Sequence, residues 1–299
     1  RQMWFCVFVV IFGSATFVGA AIAVGLWLWN PNVQKNNSKR RKDMAENIGL
    51  VIAHPDDESM FFVPCLASLA LTHNIFICCL SSGNFDGLGE TRGRELIRSA
   101  GLLGIDAKQV VVVDHPDLQD GPCNNWPAAT VVHHVSEFAA AHALHQVVTF
   151  DCRGISGHVN HCAIGNALNR HPIFPRSSVN GSSKPDSLTK ATRAAFKFSH
   201  NSVAMAQQIR VFSLRTVPKA RAYLGVLDLL WSMVRKRDGK DGSEIAGTYT
   251  LFAPWVSWAC MQAHFTQFVW YRRLFVLFSR YTFVNDLEET TPKFLMTRG

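Results

Sequence analysis

The sequence has few charged residues and lacks the cysteine pairs that bind structural zinc. Charged side chains make up 17% of its 299 residues, whereas apolar residues make up 48%. None of the eight Cys lies in a C-x-x-C pair, and Cys78 and Cys79 are adjacent within an apolar run. This usage argues against a disulfide framework or a zinc knuckle and favours buried thiols in a reducing compartment. The length and apolar content allow one large domain with appendages.

The charge balance is basic, with 30 Lys and Arg against 22 Asp and Glu. A basic protein suits an anionic partner such as nucleic acid, phospholipid or a phosphorylated substrate. Because much of the excess lies in a few short runs rather than along one face, we expect no nucleic-acid partner.

Charge is absent altogether from residues 4–29. About 20 apolar residues suffice to cross a bilayer as a helix, so this run predicts an N-terminal transmembrane anchor over residues 1–30. By the positive-inside rule, the cations that follow predict a basic cytosolic linker over residues 31–46 and a cytoplasmic catalytic domain. A cleaved secretory signal is the alternative, although the run is long and its cations lie on the wrong side. The cations are Lys35, Lys39, Arg40, Arg41 and Lys42.

Strand-like and helix-like stretches alternate along the rest of the chain, without an internal repeat. This alternation predicts an α/β fold, in which a Rossmann-like, mainly parallel sheet is flanked by helices. We expect this domain to span residues 47–287 and to be followed by a C-terminal tail, 288–299. The predicted strands are 47–53, 75–80, 109–113, 147–150 and 209–214.

Polar residues follow the first four predicted strands: His54, Asn84, Asp114 and Asp151. Ligands of parallel sheets bind beyond the carboxyl ends of the strands, so these residues predict a site on that rim.

Three segments outside this pattern have other compositions. Residues 176–200 and 234–247 are predicted to be loops or insertions. Residues 265–284 are aromatic and carry three Arg, which argues against a second span and favours an interfacial amphipathic helix. A buried terminal helix with arginines at its edge is the alternative.

The first predicted strand ends in Ala53-His54-Pro55-Asp56-Asp57-Glu58. Three carboxyl groups beside a buried strand are costly to desolvate unless a partner such as a divalent cation compensates them. The alternative is that the acids only cap the following helix and favour its dipole.

A second motif, Gly157-His158-Val159-Asn160-His161, follows the fourth predicted strand. Its two His lie at i and i+3 and share a helix face. A solvated helix start is the alternative for this motif alone. Two His and one Asp form a common zinc set, and iron or cobalt also accept it. Together the two motifs predict a catalytic metal.

The stretches A-H-P-D-D-E and G-H-x-x-H resemble the LmbE-like, or PIG-L, family of zinc de-N-acetylases. Three further stretches are similar to its eukaryotic branch: Ser82-Gly83-Asn84 with Gly89-Glu90-Thr91-Arg92, Thr149-Phe150-Asp151 with Gly154-Ile155-Ser156-Gly157-His158, and Trp270-Tyr271-Arg272-Arg273-Leu274 with Phe278-Ser279-Arg280-Tyr281. The resemblance covers roughly residues 47–287. Cys152-Arg153 and the long segment 176–200 depart from the family pattern.

The resemblance implies a role for each residue of the two motifs. His54, Asp57 and His161 match the zinc ligands of the family. Asp56 matches its general base, and His158 matches the residue that steadies the oxyanion or protonates the leaving amine.

Three further residues are weaker candidates. Arg92 matches a position expected to contact substrate, and Asp114 is a similar candidate; the alternatives are an exposed helix-start arginine and a strand-end cap. From its proximity in the chain, we expect Asp151 to orient His158.

The resemblance implies hydrolysis of the N-acetyl group of N-acetylglucosaminyl-phosphatidylinositol, the second step of glycosylphosphatidylinositol-anchor synthesis, on the cytoplasmic face of the endoplasmic reticulum. The expected partners are this glycolipid and the membrane; protein partners are not predicted. Two alternatives are a de-N-acetylase of another amino sugar and an inactive, membrane-tethered sugar-binding homologue. A NAD-dependent oxidoreductase is disfavoured, because no G-x-G-x-x-G follows the first strand.

Overall fold

The computed structural model describes residues 46–174, 208–234 and 246–292. The predicted anchor, all of the linker except Glu46, and the insertion 176–200 lie outside these ranges, as do most of the loop 234–247 and residues 293–299 of the tail. No helix in the described ranges has both the length and the apolar character needed to cross a bilayer.

The core of the fold is a seven-stranded sheet in the order β3-β2-β1-β4-β5-β7-β6. Strands β1 to β5 are parallel, and β7 pairs antiparallel with both β5 and β6. The predicted, mainly parallel sheet is therefore confirmed. The strands are β1 (Asn47–Ile52), β2 (Asn74–Cys79), β3 (Val110–Val112), β4 (Gln146–Phe150), β5 (Arg210–Leu214), β6 (Gly247–Thr250) and β7 (Val284–Glu289).

Helices connect the strands and flank the sheet. A π-helical turn, Glu58–Phe62, leads into the first of them, and such turns are frequent at functional sites. The helices are α1 (Val63–Leu69), α2 (Gly89–Leu102), α3 (Ala128–Ala141), α4 (Gly154–Gly157), α5 (Val159–Arg170), α6 (Lys219–Ala222), α7 (Val226–Val234), α8 (Pro254–Ala263) and α9 (Trp270–Phe278).

The central strand β1 determines where a ligand can bind. All but one of its residues are buried, as expected for a strand covered on both faces. The chain continues from β1 to β2 and β3 on one side, whereas β4 and β5 lie on the other. Strand order therefore reverses between β1 and β4, and ligands bind parallel sheets at such a switch point.

The C-terminal part differs from its prediction. Only Trp270–Phe278 of the predicted 265–284 segment forms an α-helix, and a 3-10 turn, Arg280–Thr282, leads from it into β7. Most side chains of α9 are exposed, which agrees with an amphipathic surface helix. Arg280, however, is fully buried and pairs with Asp228 and Asp286 rather than lying at an edge. Strand β7 also continues two residues past the predicted domain boundary at 287.

A buried ion pair joins the turn after β1 to the segment after α8. Nε2 of His264 lies 2.6 Å from Oε1 of Glu58, and both side chains are 0% exposed. Burial alone would raise the pKa of Glu58, but the charge of His264 and its hydrogen bond hold that pKa below the ordinary value. Burial would lower the pKa of His264, but Glu58 raises it. Each group therefore stabilises the charged form of the other.

Replacing His264 by Ala should lower the free energy of unfolding by about 3–5 kcal/mol, because it leaves the carboxylate of Glu58 buried without a partner. Urea unfolding of the full chain, followed by circular dichroism, measures the change. His145→Ala is the control, since His145 is exposed. Equal unfolding midpoints for the two variants would show that the pair contributes nothing.

Candidate metal and active site

The turn after β1 is strained and is held by its own carboxylate. Asp56 has φ 116°, a backbone conformation that side-chain-bearing residues rarely adopt. Oδ2 of Asp57 accepts the backbone N–H groups of Ala53 at 3.0 Å and His54 at 2.9 Å. Asp57 therefore folds the turn back on itself, which positions His54, Asp56 and Asp57 together at the switch point.

The second motif forms the start of α5. His158 caps this helix, because its Nδ1 accepts the N–H of Asn160 at 3.3 Å. The ring of His161 stacks on Phe150, with ring centroids 4.2 Å apart. Nδ1 of His161 lies 3.2 Å from the carbonyl oxygen of Gly154, where it can donate. A Cβ on Gly154 would come within 2.7 Å of the Cβ of His161, so glycine is required there.

The two motifs meet in space. Nε2 of His161 lies 3.2 Å from Oδ1 of Asp57, and Nδ1 of His54 lies 3.8 Å from Oδ2 of the same carboxylate. Ring centroids of His54 and His161 are 5.4 Å apart. His158 joins them, since one nitrogen of each of the three His lies within 4.8 Å of the others. Two overlapping ligand sets are therefore possible, one completed by Asp57 and one by His158.

The charges of the site favour a cation beside Asp57. Burial alone would raise the pKa of Asp57, but the charge of His161 and its hydrogen bond hold it well below the ordinary value. Among the described residues, only imidazoles form ion pairs with this carboxylate. A buried carboxylate of this kind needs a positive partner, and a divalent metal between Asp57, His54 and His161 would supply it.

The imidazole of His158 is in a different electrostatic state. Burial lowers its pKa, and the neighbouring His54 and His161 lower it further. His158 is therefore neutral near pH 7. Because Nδ1 accepts a hydrogen bond from the helix, the proton of the neutral ring lies on Nε2. Nε2 is then a donor rather than a metal ligand.

Asp56 is held by two arginines from distant helices. Nη2 of Arg92 lies 3.4 Å from Oδ2 of Asp56 and donates to the carbonyl oxygen of Pro55 at 2.8 Å. Arg92 is buried, not the exposed helix-start residue of the alternative interpretation. Arg272 of α9 also pairs with Oδ2 of Asp56. Sequence analysis did not assign Arg272 to the site.

Asp120 is a second site residue that sequence analysis missed. Its Oδ1 lies 3.0 Å from Nε2 of His54, and its Oδ2 lies 3.4 Å from Nη1 of Arg92. Burial would lower the pKa of His54, but the hydrogen bond with Asp120 and the charge of Asp57 raise it above the ordinary value. Oδ1 of Asn160 is also within 3.1 Å of this nitrogen. These oxygens favour a proton on Nε2 and leave Nδ1 of His54 for a metal. The sequence contained a signal for this residue, because Asp120 follows strand β3 as Asp114 does, and polar residues after the strands predict the site.

Comparisons with known proteins identify relatives of this chain. The family model "PIG-L: GlcNAc-PI de-N-acetylase" matches residues 50–171. The chain is 31% identical over 278 residues to the probable N-acetylglucosaminyl-phosphatidylinositol de-N-acetylase of Schizosaccharomyces pombe, covering 89% of this chain and 100% of the relative. It is 31% identical to the Bos taurus enzyme of that name, over 88% of this chain and 91% of the relative. The probable Dictyostelium discoideum enzyme is 34% identical, over 86% and 98%.

The chain belongs to the PIG-L family of de-N-acetylases. Both motifs of this PIG-L chain lie inside the matched range. The family assignment contradicts the NAD-dependent alternative.

Two predicted site residues of the PIG-L chain have other partners. Asp114 is exposed, and its Oδ1 accepts from Ser82 at 2.9 Å, as a strand-end cap does. The prediction that Asp151 orients His158 is wrong. The described structure shows no bond between them, because the oxygens of Asp151 accept the N–H groups of Arg153 and Gly154 at 3.0 and 3.1 Å and both the N–H and the hydroxyl of Thr216.

Replacing His161 by Ala should remove one equivalent of bound metal from the PIG-L chain, because it deletes a nitrogen that faces Asp57. Metal content after dialysis, measured by plasma mass spectrometry, tests this. The control is His133→Ala, which alters the other group of possible ligands among the described residues: His133, His134 and Glu137 of α3. Loss of the metal in the control alone would remove His161 from the ligand set.

Proposed function

We propose that this chain hydrolyses the N-acetyl group of N-acetylglucosaminyl-phosphatidylinositol, giving glucosaminyl-phosphatidylinositol and acetate. One observation carries the proposal: the imidazoles of His54 and His161 each face an oxygen of Asp57, at 3.8 and 3.2 Å, with their ring centroids 5.4 Å apart. The names of relatives that match over most of their length supply the substrate. In the pathway of anchor synthesis this reaction is the second step.

The residues that would hold a metal are His54, Asp57 and His161. They fit a zinc ion because two imidazoles face a carboxylate that has no Arg or Lys partner among the described residues, although such a set also accepts other divalent metals. When bound, zinc lowers the pKa of a water ligand to about 7 and polarises a carbonyl group.

Asp56 is the proposed general base. Both arginines contact its Oδ2, so that oxygen is fixed and Oδ1 is the one that accepts the proton of the attacking water. The strained backbone at Asp56 keeps the carboxylate in place between the metal ligands and the arginines.

His158 is the proposed hydrogen-bond donor. Its Nδ1 accepts the N–H of Asn160, so Nε2–H can donate a hydrogen bond to a developing oxyanion. The neutral ring keeps this proton, and the proton that Asp56 takes from the attacking water is the one that passes to the leaving amine. Its ring centroid lies 4.9 Å from that of His54, which places the donor beside the metal ligands.

We place the enzyme in the endoplasmic reticulum membrane, held by a single N-terminal span with its site in the cytoplasm. The uncharged residues 4–29 and the cations after them support this placement. A lipid-linked substrate agrees with such an anchor, whereas a soluble acetylated sugar does not require one.

Replacing Asp56 by Asn should reduce turnover by about 10²–10⁴-fold and leave the metal content unchanged, because the amide cannot accept a proton. Acetate released from N-acetylglucosaminyl-phosphatidylinositol and from free N-acetylglucosamine measures turnover and substrate preference together. Asp106→Asn is the matched control, since Asp106 is exposed at the amino end of β3. Full activity of the Asp56 variant would contradict the assignment of the base. Turnover of the free sugar alone would contradict the lipid substrate.

A further inference from the structure

Helix α7 has its apolar side outward. Leu227, Leu230 and Trp231 are 62%, 59% and 53% exposed, whereas Asp228 and Ser232 are buried. A surface helix of a soluble domain normally shows the opposite distribution, with its apolar stripe against the core. The outward side of α7 therefore requires an explanation other than packing.

A buried polar network fixes this orientation. The carboxylate of Asp228 accepts hydrogen bonds from Arg280 and Arg221, and Ser232 donates to it at 3.1 Å. Arg280 is fully buried. Turning α7 over would strand these charges in the interior, at a cost of several kcal/mol. The ion pairs and hydrogen bonds of Asp228 therefore hold the apolar side of α7 outward.

Helix α9 continues the same surface. Its exposed side chains are apolar or aromatic except for Arg273. The segment that leads into α7 adjoins α9, since a Cβ on Gly225 would lie 3.2 Å from the carbonyl oxygen of Phe278, and the rings of Tyr223 and Phe275 are 6.4 Å apart. We call the exposed apolar side chains of residues 223–231 and 270–278 the apolar platform. They are Tyr223, Leu224, Val226, Leu227, Leu230, Trp231, Trp270, Tyr271, Leu274, Leu277 and Phe278.

Within the segments that carry the platform, the exposed charges are cations. The sequence has no Asp or Glu from residue 246 to residue 285, and Asp228 is the only one between 208 and 234. Lys219 and Arg273 are exposed. Aromatic and aliphatic side chains with cations and without carboxylates match the interface of a bilayer that contains anionic lipids.

The platform is also connected to the site. Arg272 lies on α9 between Tyr271 and Arg273 and reaches inward to Asp56. The exposed side of α9 therefore belongs to the platform, while Arg272 of the same helix contacts the proposed base, so a layer that covers the platform lies against a helix of the site.

We propose that the apolar platform inserts into the interfacial layer of a lipid bilayer and holds the site against it, so that a lipid-linked substrate reaches Asp56 without leaving the membrane. The choice of a bilayer as the occupant rests on the lipid substrate proposed above. The platform is separate from the N-terminal anchor and gives the domain a fixed orientation that an anchor and a linker alone do not provide.

Photolabelling tests the proposal independently of activity. The full chain is reconstituted into vesicles of phosphatidylcholine and phosphatidylinositol that contain a phosphatidylcholine with a diazirine on its acyl chain. After irradiation, labelled peptides are mapped by mass spectrometry. We expect label on the segments 223–231 and 270–278 in addition to 4–29. Label confined to 4–29, or cross-links that join the platform to a second copy of the chain, would overturn the proposal.

A charge variant with a matched control gives a second readout. Leu227→Asp with Leu277→Asp should abolish labelling of the platform and lower turnover of vesicle-embedded substrate by about tenfold or more, because a carboxylate does not enter the apolar layer of a bilayer without a large cost. Turnover of a water-soluble glycosyl-inositol phosphate without acyl chains should not change. Leu71→Asp, on an equally exposed apolar residue elsewhere, should change none of these.

These outcomes separate the two proposals. Equal loss with both substrates would show a structural defect rather than lost docking and would count against the platform. If the parent chain turned over neither substrate, the proposed function would fail, and the labelling pattern would still decide whether the platform meets lipid.

Discussion

Three consecutive buried carboxylates after β1 determine how this chain folds around its site. Burying a charge without a partner costs several kcal/mol, so each of the three requires a positive group, and His54 is the one such group within their own segment. The partners come from α2, α5, α9 and the segment after α8. They are Arg92 and Arg272 for Asp56, His161 for Asp57, and His264 for Glu58. The rest of the domain is arranged so that these groups reach one strand end.

The three carboxylates are not equivalent, and their differences indicate their roles. Glu58 is sealed with His264 and two Ser hydroxyls, which suits a structural pair. The two arginines that pair with Asp56 in the described structure both contact its Oδ2. Asp57 faces imidazoles, whose nitrogens bind either a proton or a metal. Of the three carboxylates, Asp57 is therefore the one whose partners can exchange a proton for a metal ion.

Much of the fold could be predicted from the sequence because its signals are local. Apolar runs followed by polar residues predicted strands β1 to β5 and a site at the carboxyl ends of the strands. Strands β6 and β7 were missed because β6 has only four residues and lies next to a predicted loop, and because β7 begins where the aromatic segment 265–284 ends. Antiparallel pairing at a sheet edge leaves little trace in the periodicity of so short a strand.

The site could be predicted only where its residues are neighbours in the chain. The motifs containing His54 and His161 could be recognised from local sequence. Asp120 follows β3 and Arg272 lies in a stretch similar to the family, but only tertiary contacts show that they reach His54 and Asp56. For Asp151, closeness in the chain led to a wrong prediction. Its closeness to His158 in sequence suggested a pair, but the N–H groups of the intervening turn bind its carboxylate first.

X-ray absorption at the zinc edge of the metal-loaded full chain tests the central claim most directly, because it reports which atoms surround the ion. We expect scattering from two imidazoles together with oxygen ligands at about 2.0–2.1 Å, and the same spectrum for His158→Ala. Sulfur at about 2.3 Å would contradict a site built from the two motifs. An imidazole contribution that disappears in His158→Ala would replace Asp57 by His158 in the ligand set.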